Sequence, residues 1–377
     1  MHILIAPNSF KNSLDATLAA EMISKGLKNS NLNFTCECFP IGDGGDGTGA
    51  LITSKLGGIN KRAVVQNAMG KEIKATFGLI DLNKTAVIEM AQASGIHLLN
   101  PMKLNPLTAS SFGTGQLIRE ALNMGVTQIL ITMGGSATVD GGTGILKALG
   151  VRFVNSYGKD LPDRVDALRD LNSIDLSGMD KRIKKCRFII LCDVDNKLLG
   201  KEGAAYVFGP QKGASPYQVK KLDSALTQVA KIVLKETSID ISGIKHGGTA
   251  GGAAAVLHAI FNAELVNGIE YFLNLTNFDS SLKKSSLVIT GEGSIDFQTL
   301  KGKGPYGVAL RAKKKGLPVI GLAGNVPLKQ DAHLQRFFDV LIPIGNKPSD
   351  LATALSDSTK NIIRTSREIG NLLAIKQ

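Results

Sequence analysis

Residues 130–150, LITMGGSATVDGGTGILKALG, run from an apolar segment through a glycine-dense turn into a segment with helical spacing. A strand that passes into a helix through such a turn is the unit from which parallel, helix-covered sheets are built. The apolar signature recurs at "HILIAP" (2–7), "QILITM" (128–133), "RFIILC" (187–192), "SLVIT" (286–290), "PVIGLAG" (318–324) and "DVLIPI" (339–344). Helical stretches separate these runs, so the sequence reads as an α/β fold. A polar or glycine-rich loop follows most of them. In open parallel sheets ligands collect at the carboxyl ends of strands, so those loops are the first candidates for a site.

At 377 residues and 43% hydrophobic content the chain exceeds the length at which one core stops growing, and two domains are expected. Between residues 61 and 127 the runs shorten and alternate, as in "RAVVQNAMGKEIKATFGLI", which reads as antiparallel strands of a mixed sheet. The first strand is expected to pair with strands near the C-terminus. The domain expectation is therefore a discontinuous Rossmann-like unit, 1–60 plus 285–377, with an inserted α/β domain at 61–284. No run approaches the roughly 18 apolar residues of a membrane helix. A cytoplasmic protein, monomeric or homodimeric, is the expectation.

The net charge of +12 raises the question of nucleic acid. Its densest runs, "KRIKKCR" (181–187) and "KKK" (313–315), stand where helices should end before strands, and there cations oppose the helix dipole. With no Trp and 5% aromatic residues, stacking platforms for bases are scarce. The reading is a solvated basic surface with no nucleic-acid or membrane partner, whose field favours small anionic substrates. The four cysteines show no metal-type spacing and read as reduced thiols.

Five constellations carry chemistry. The turn with Gly134, Gly135, Ser136, Asp140, Gly141 and Gly142 either cradles phosphate with backbone N–H groups or simply permits a tight turn. "FPIGDGGDGTGALI" (39–52) holds Asp43 and Asp46 in a second glycine loop. Those acids either share a Mg²⁺ ion or are solvated turn residues, with Asp46 favouring a helix start. "FIILCDVDNKLLG" (188–200) delivers Asp193 and Asp195 from a strand end, one to accept a hydroxyl proton or hold Mg²⁺ and the other to support the turn. "ITGEGSIDFQTLKGKGP" (289–305) supplies Gly291, Glu292, Gly293, Asp296, Lys301 and Lys303, a mixture suited to a metal-bound polyphosphate. "PNSFKNS" adds Lys11 and "FGPQKGA" adds Lys212. Neither a GxxxxGK[ST] loop nor a complete dinucleotide fingerprint occurs, which excludes a P-loop kinase and weakens a dehydrogenase reading.

In order along the chain, "APNSFKNSL", "GDGGDGT", "QASGI", "SSFGTGQLI", "GGSATVDGGTG", "CDVDN-LLG", "FGPQKGA", "TGEGSID-QTL-GK-P-GVA" and "GLAG" resemble the motif set of the bacterial type I glycerate kinases, from Ile3 to about Gly345. The resemblance implies phosphorylation of D-glycerate with ATP and Mg²⁺, mostly to 2-phosphoglycerate, by two α/β domains with the site in the cleft between them. It matches Asp43 to the family's first glycine motif, Gly134 to Gly142 to its second, Asp193, Asp195 and Asn196 to "DVDN", and Gly291, Glu292, Gly293, Asp296 and Gln298 to its late motif. From residue type and place, Asp193 or Asp195 is expected as the base and Asp43 and Asp296 near Mg²⁺. Lys11 and Lys212 are expected on phosphate or carboxylate oxygens, and Gly134, Gly135, Ser136, Asp140, Gly141, Gly142, Gly291, Glu292 and Gly293 around ATP. The chain departs from the pattern at Asn8, Gly42, Asp46, Val139 and Ser294. These departures keep two alternatives open: a kinase for another small hydroxy acid, or a non-catalytic binding protein of the same descent.

Overall fold

The computed structural model describes residues 1–329 and 331–375. In chain order its strands are β1 His2–Ile5, β2 Thr35–Cys38, β3 Ile59–Gln66, β4 Glu72–Ile80, β5 Thr85–Glu89, β6 Gln128–Thr132 and β7 Arg152–Val154. They continue with β8 Ser173–Asp175, β9 Arg187–Cys192, β10 Glu264–Asn267, β11 Leu287–Ser294, β12 Val319–Asn325 and β13 Val340–Pro343. The chain divides into two compact units, Met1–Asp43 with Ile269–Gln377, and Gly44–Gly268.

The first unit is built on an all-parallel sheet in the order β13-β12-β11-β1-β2. Ile3, Leu4 and Ile5 are completely buried, as a strand covered on both faces requires. Ile3 pairs with Leu287 and Ile5 with Ile289, so the N-terminal strand does join strands from the far end of the chain. Asp15 starts the helix Ala16–Lys28 by accepting the Leu18 amide at 2.8 Å, an N-cap in the usual sense. The apolar side of that helix enters a core with Ile23, Leu27, Ile289, Leu322, Ile362 and Ile369.

The second unit holds a six-stranded mixed sheet, β10-β9-β6-β5-β4-β3, and the small antiparallel pair β7-β8. From β10 to β5 the pairing is parallel, and β4 and β3 run antiparallel, which is the change of pattern that alternation between 61 and 127 predicts. Here the long helix Pro216–Thr237 opens with a capping box between Ser215 and Gln218. Its stripe of Leu222, Leu226, Val229 and Val233 lies in the core beside Ile145, Ile190 and Val256.

The units divide at Asp43/Gly44 and Gly268/Ile269, whereas the sequence reading sets its limits at 60 and 285. Packing explains each position. Thr48–Lys55 is a helix whose Ala50 amide is held by Glu89 at the end of β5, which ties it to the second unit. On the other side Glu270 pairs with Arg311 at 2.8 Å, and Phe278 meets Phe39 edge-on at 5.0 Å, which ties residues 270–278 to the first. Neither partnership leaves a local mark in sequence. Among the described residues no helix is long and apolar enough to cross a membrane. All four cysteines are free thiols, and burial pushes Cys192 up to about 12.

Candidate active site

In the second unit β6 runs into the loop from Met133 to Gly142, and the helix Thr143–Ala148 follows. What lies against its glycines is the protein itself: the Asp46 carboxylate at Gly135, and backbone at Gly134. A Cβ on Gly134 would overlap the Cα of Gly45, and one on Gly251 would overlap the carbonyl of Thr138. Three glycine-rich segments therefore interlock at the end of β6, and only glycine allows the approach.

Asp140 anchors this loop. It is buried, and its Oδ2 accepts from the amide and hydroxyl of Ser111 at 2.9 and 2.7 Å and from the Gly144 amide at 3.2 Å. Its Oδ1 accepts from the Gly142 amide at 3.1 Å, and the Ile145 amide donates to Ser111 Oγ at 3.1 Å. The expected anion cradle at this helix start is corrected accordingly: those donors serve Asp140 and Ser111, as orphan amides at a helix end demand. Asp140 is a cap. The half-buried part of the loop lies at Gly134 and Gly135.

Lys212 stands beneath the same loop. It is 4% exposed, and its Nζ donates to Ser136 Oγ at 2.9 Å and to the Thr138 carbonyl at 2.8 Å. Burial pulls its ammonium down to about 8, against the opposing attraction of Asp140 and Asp193. Two of the three ammonium donors of Lys212 are therefore spent on the loop.

β9 delivers the two DVDN aspartates to its carboxyl end, both half-buried. Their roles separate. Asp195 lies 3.4 Å from Lys245 Nζ and 3.2 Å from His246 Nδ1, and the His246 ring binds the Val194 carbonyl at 2.7 Å. Asn196 Nδ2 donates to the Glu202 carbonyl at 2.8 Å. Asn196 thus knits the turn, Asp195 Oδ1 is buried without a hydrogen-bond partner among the described residues, and Asp193 lies within the electrostatic reach of Lys212.

In the first unit the ends of β1 and β11 assemble a second cluster. Asp43 Oδ2 accepts from Asn8 Nδ2 at 2.8 Å and from the Gly304 amide at 3.1 Å. Glu292, at the end of β11, is buried and accepts from Thr299 Oγ1 at 2.8 Å. Its carboxyl is pushed up to about 7, chiefly by burial, with Asp43 adding to the rise and Lys303, Thr299 and Lys11 working against it. Lys11 is exposed, and Lys303 is half-buried where it caps the helix Gly304–Lys314. Gly291 presses against the Leu322 carbonyl across the sheet, and Gly293 faces the Lys11 amide.

Asp296 is engaged otherwise. Its Oδ1 accepts the Gln298 amide at 2.8 Å and its Oδ2 the Ser294 hydroxyl at 3.3 Å, an Asx-type turn. Among the described residues no three His, Cys, Asp or Glu side chains are grouped to hold a metal ion. A Mg²⁺ ion typically takes one or two carboxylates and completes its shell with phosphate oxygens and water. The first-unit acids Asp43 and Glu292 fit that habit, and Asp296 keeps acceptor capacity beyond the bonds of its turn.

Two participants escape a reading by motif. Glu89, buried at the end of β5, accepts the Ala50 amide at 3.0 Å, and burial raises its pKa; an acid closing the apolar run "TAVIE" is the signal that marks it. Ser111 lies within the motif "SSFGTGQLI", but nothing local marks it as the partner of Asp140.

Comparison with known proteins gives this arrangement its context. A model described as the glycerate kinase family matches residues 3–374. The chain is 41% identical over 367 residues to the glycerate kinase of Halalkalibacterium halodurans, covering 97% of each. It is 41% identical over 379 residues to the glycerate 2-kinase of Escherichia coli K12, covering 100% of this chain and 98% of that one. A solved structure, described as a candidate glycerate kinase 2 from Salmonella typhimurium LT2, matches with a TM-score of 0.81 at 40% identity. It spans 100% of this chain and 99% of that one. Sequence and fold agree over the full described length, and the chain belongs to the glycerate kinase family of ATP-dependent kinases.

Proposed function

We propose that this protein is a glycerate 2-kinase that transfers the γ-phosphoryl group of ATP to the 2-hydroxyl of D-glycerate, giving 2-phosphoglycerate and ADP. The observation that carries the reading is the division of labour at the end of β9. Asp195 lies beside Lys245 and His246 with its buried Oδ1 accepting no hydrogen bond among the described residues, and Asp193 lies within the electrostatic reach of the buried Lys212 cation. Asp193 then accepts the hydroxyl proton as the oxygen attacks phosphorus in line, and phosphoryl transfer otherwise rests on positioning and charge neutralisation. In the second unit, Gly134 and Gly135 are the glycines proposed to border the phosphate chain. Asp43 is the residue proposed to hold Mg²⁺, which when bound would neutralise phosphate charge.

The name of the Escherichia coli relative supports the 2-phosphate product. A coupled assay of ADP release across a panel of small hydroxy acids tests the substrate. D-Glycerate should give the highest kcat/KM; a higher value for another hydroxy acid would replace it as substrate, and no ADP release with any of them would leave only the binding-protein reading.

A further inference from the structure

A buried lysine is an expensive residue, because its charged form loses most of its hydration and recovers it only through the partners it meets. Lys212 meets two neutral acceptors, Ser136 Oγ and the Thr138 carbonyl. The charged groups that bear on it are Asp140, from the loop before the helix Thr143–Ala148, and Asp193, from the end of β9. Asp140 already receives four hydrogen bonds from Ser111, Gly142 and Gly144. Fold stability alone gives little reason for an ammonium here, since an apolar side chain of the same length would fill the volume without losing hydration.

We infer that Lys212 is a positioning residue, retained against stability because its cation holds the Ser136–Thr138 segment beneath the Gly134–Gly135 rim and holds the Asp193 carboxylate for the reaction. This rests on the phosphoryl-transfer reading for its catalytic half. The loop half stands on geometry alone. The ammonium, from the turn Pro210–Lys212, bonds the segment after β6 at Ser136 and Thr138 and acts electrostatically on Asp193, which follows β9.

The sign of the pH effects follows. Lys212 ionises near 8 when folded against 10.5 in its ordinary state, so the folded chain disfavours the charge. The loss of stability is full below about pH 8. Between 8 and 10.5 the unfolded chain holds a proton that the folded one has released, and the loss fades. The charged form is the one that positions the loop, so ATP affinity should weaken as pH rises through 8.

The test uses the full chain with Lys212→Met and Lys212→Arg, read by calorimetric titration with ATP, by melting at pH 7 and by the pH dependence of kcat/KM. Hydrogen bonds to a charged group set the scale, so Lys212→Met should weaken ATP binding about 10- to 100-fold and lower kcat. Its melting temperature should equal or exceed that of the parent. Lys212→Arg, whose guanidinium does not titrate in this range, should recover part of the ATP affinity and lack the alkaline limb near pH 8. Met at 212 with ATP affinity and kcat within threefold of the parent would overturn the inference. So would a clear fall in its melting temperature, which would make Lys212 a post for the fold. A parent that binds ATP yet fails to phosphorylate glycerate would defeat the proposed function while leaving the ATP titration to decide the loop half.

Discussion

Residue type and residue role part company at three positions. Asp140, Lys212 and Glu292 all belong to motifs that read as ligand-binding, yet Asp140 caps a helix, Lys212 supports a loop, and Glu292 is a buried carboxyl with a pKa near 7. The motifs mark where these residues cluster. They do not mark which groups face inward, because that depends on partners such as Ser111, which lies 29 residues from Asp140. Two outcomes follow at this scale. Asp193→Asn keeps the size and one acceptor while removing the charge, so it should lower kcat by about 10²–10⁴-fold with little change in KM; steady-state kinetics at saturating Mg²⁺ and ATP measure it, and an unchanged kcat would move the base elsewhere. Glu292 has a folded-state pKa above its ordinary 4.5, so the folded chain keeps a proton that the unfolded chain loses above 4.5. The stability this contributes is whole below 4.5 and is lost as pH rises through 7. Glu292→Gln retains an acceptor for Thr299 and should raise the melting temperature at pH 8, with a much smaller gain at pH 5. Equal gains at both pH values would mean that burial of the charge is not the cause.

Elements were more legible than roles. The apolar runs beginning at His2, Gln128, Arg187 and Asp339 contain β1, β6, β9 and β13, and those beginning at Ser286 and Pro318 hold the starts of β11 and β12, because a strand covered on both faces is apolar. What the runs do not state is which of them share a sheet: β6 and β9 pair with each other, and β1 pairs with β11 and β2. The glycine-dense turn at 134–142 was legible as a place of close approach but not as to what approaches. Phosphate and backbone both demand a missing Cβ, and here Gly45 stands against Gly134. Since the neighbour is backbone and has little room to yield, Gly134→Ala should lower stability by about 1–3 kcal/mol, the usual range for forced overpacking. Denaturant unfolding measures it. A neutral result would show that the two loops separate freely.

For the molecule as a whole, the charge balance and the chain length carried the broadest conclusions. The basic run at Lys181–Lys185 is a short helical turn before β9 and the run at Lys313 ends the helix Gly304–Lys314, where cations oppose the helix dipole; Arg182 is spent on Asp180 at 2.7 Å and Lys313 pairs with Asp339. The surplus of +12 remains as a field that draws in anions, and salt screens such a field over about 10 Å at 0.1 M. The kcat/KM for ATP should therefore fall as ionic strength rises, and independence from salt would show that the field plays no part in capture. Two units were foreseeable from length and from the change of pattern near residue 61, while their limits depended on pairings such as Phe39 with Phe278.

The central claim is transfer to the 2-hydroxyl of D-glycerate, and phosphorus NMR of the reaction mixture tests it most directly. A phosphate ester at C2 is flanked by one proton and one at C3 by two, so the coupled spectrum separates them without a standard. The account predicts an ATP-dependent product signal split into a doublet. A triplet, placing the phosphate on C3, or the absence of any new ester signal with D-glycerate and Mg²⁺-ATP, would contradict it.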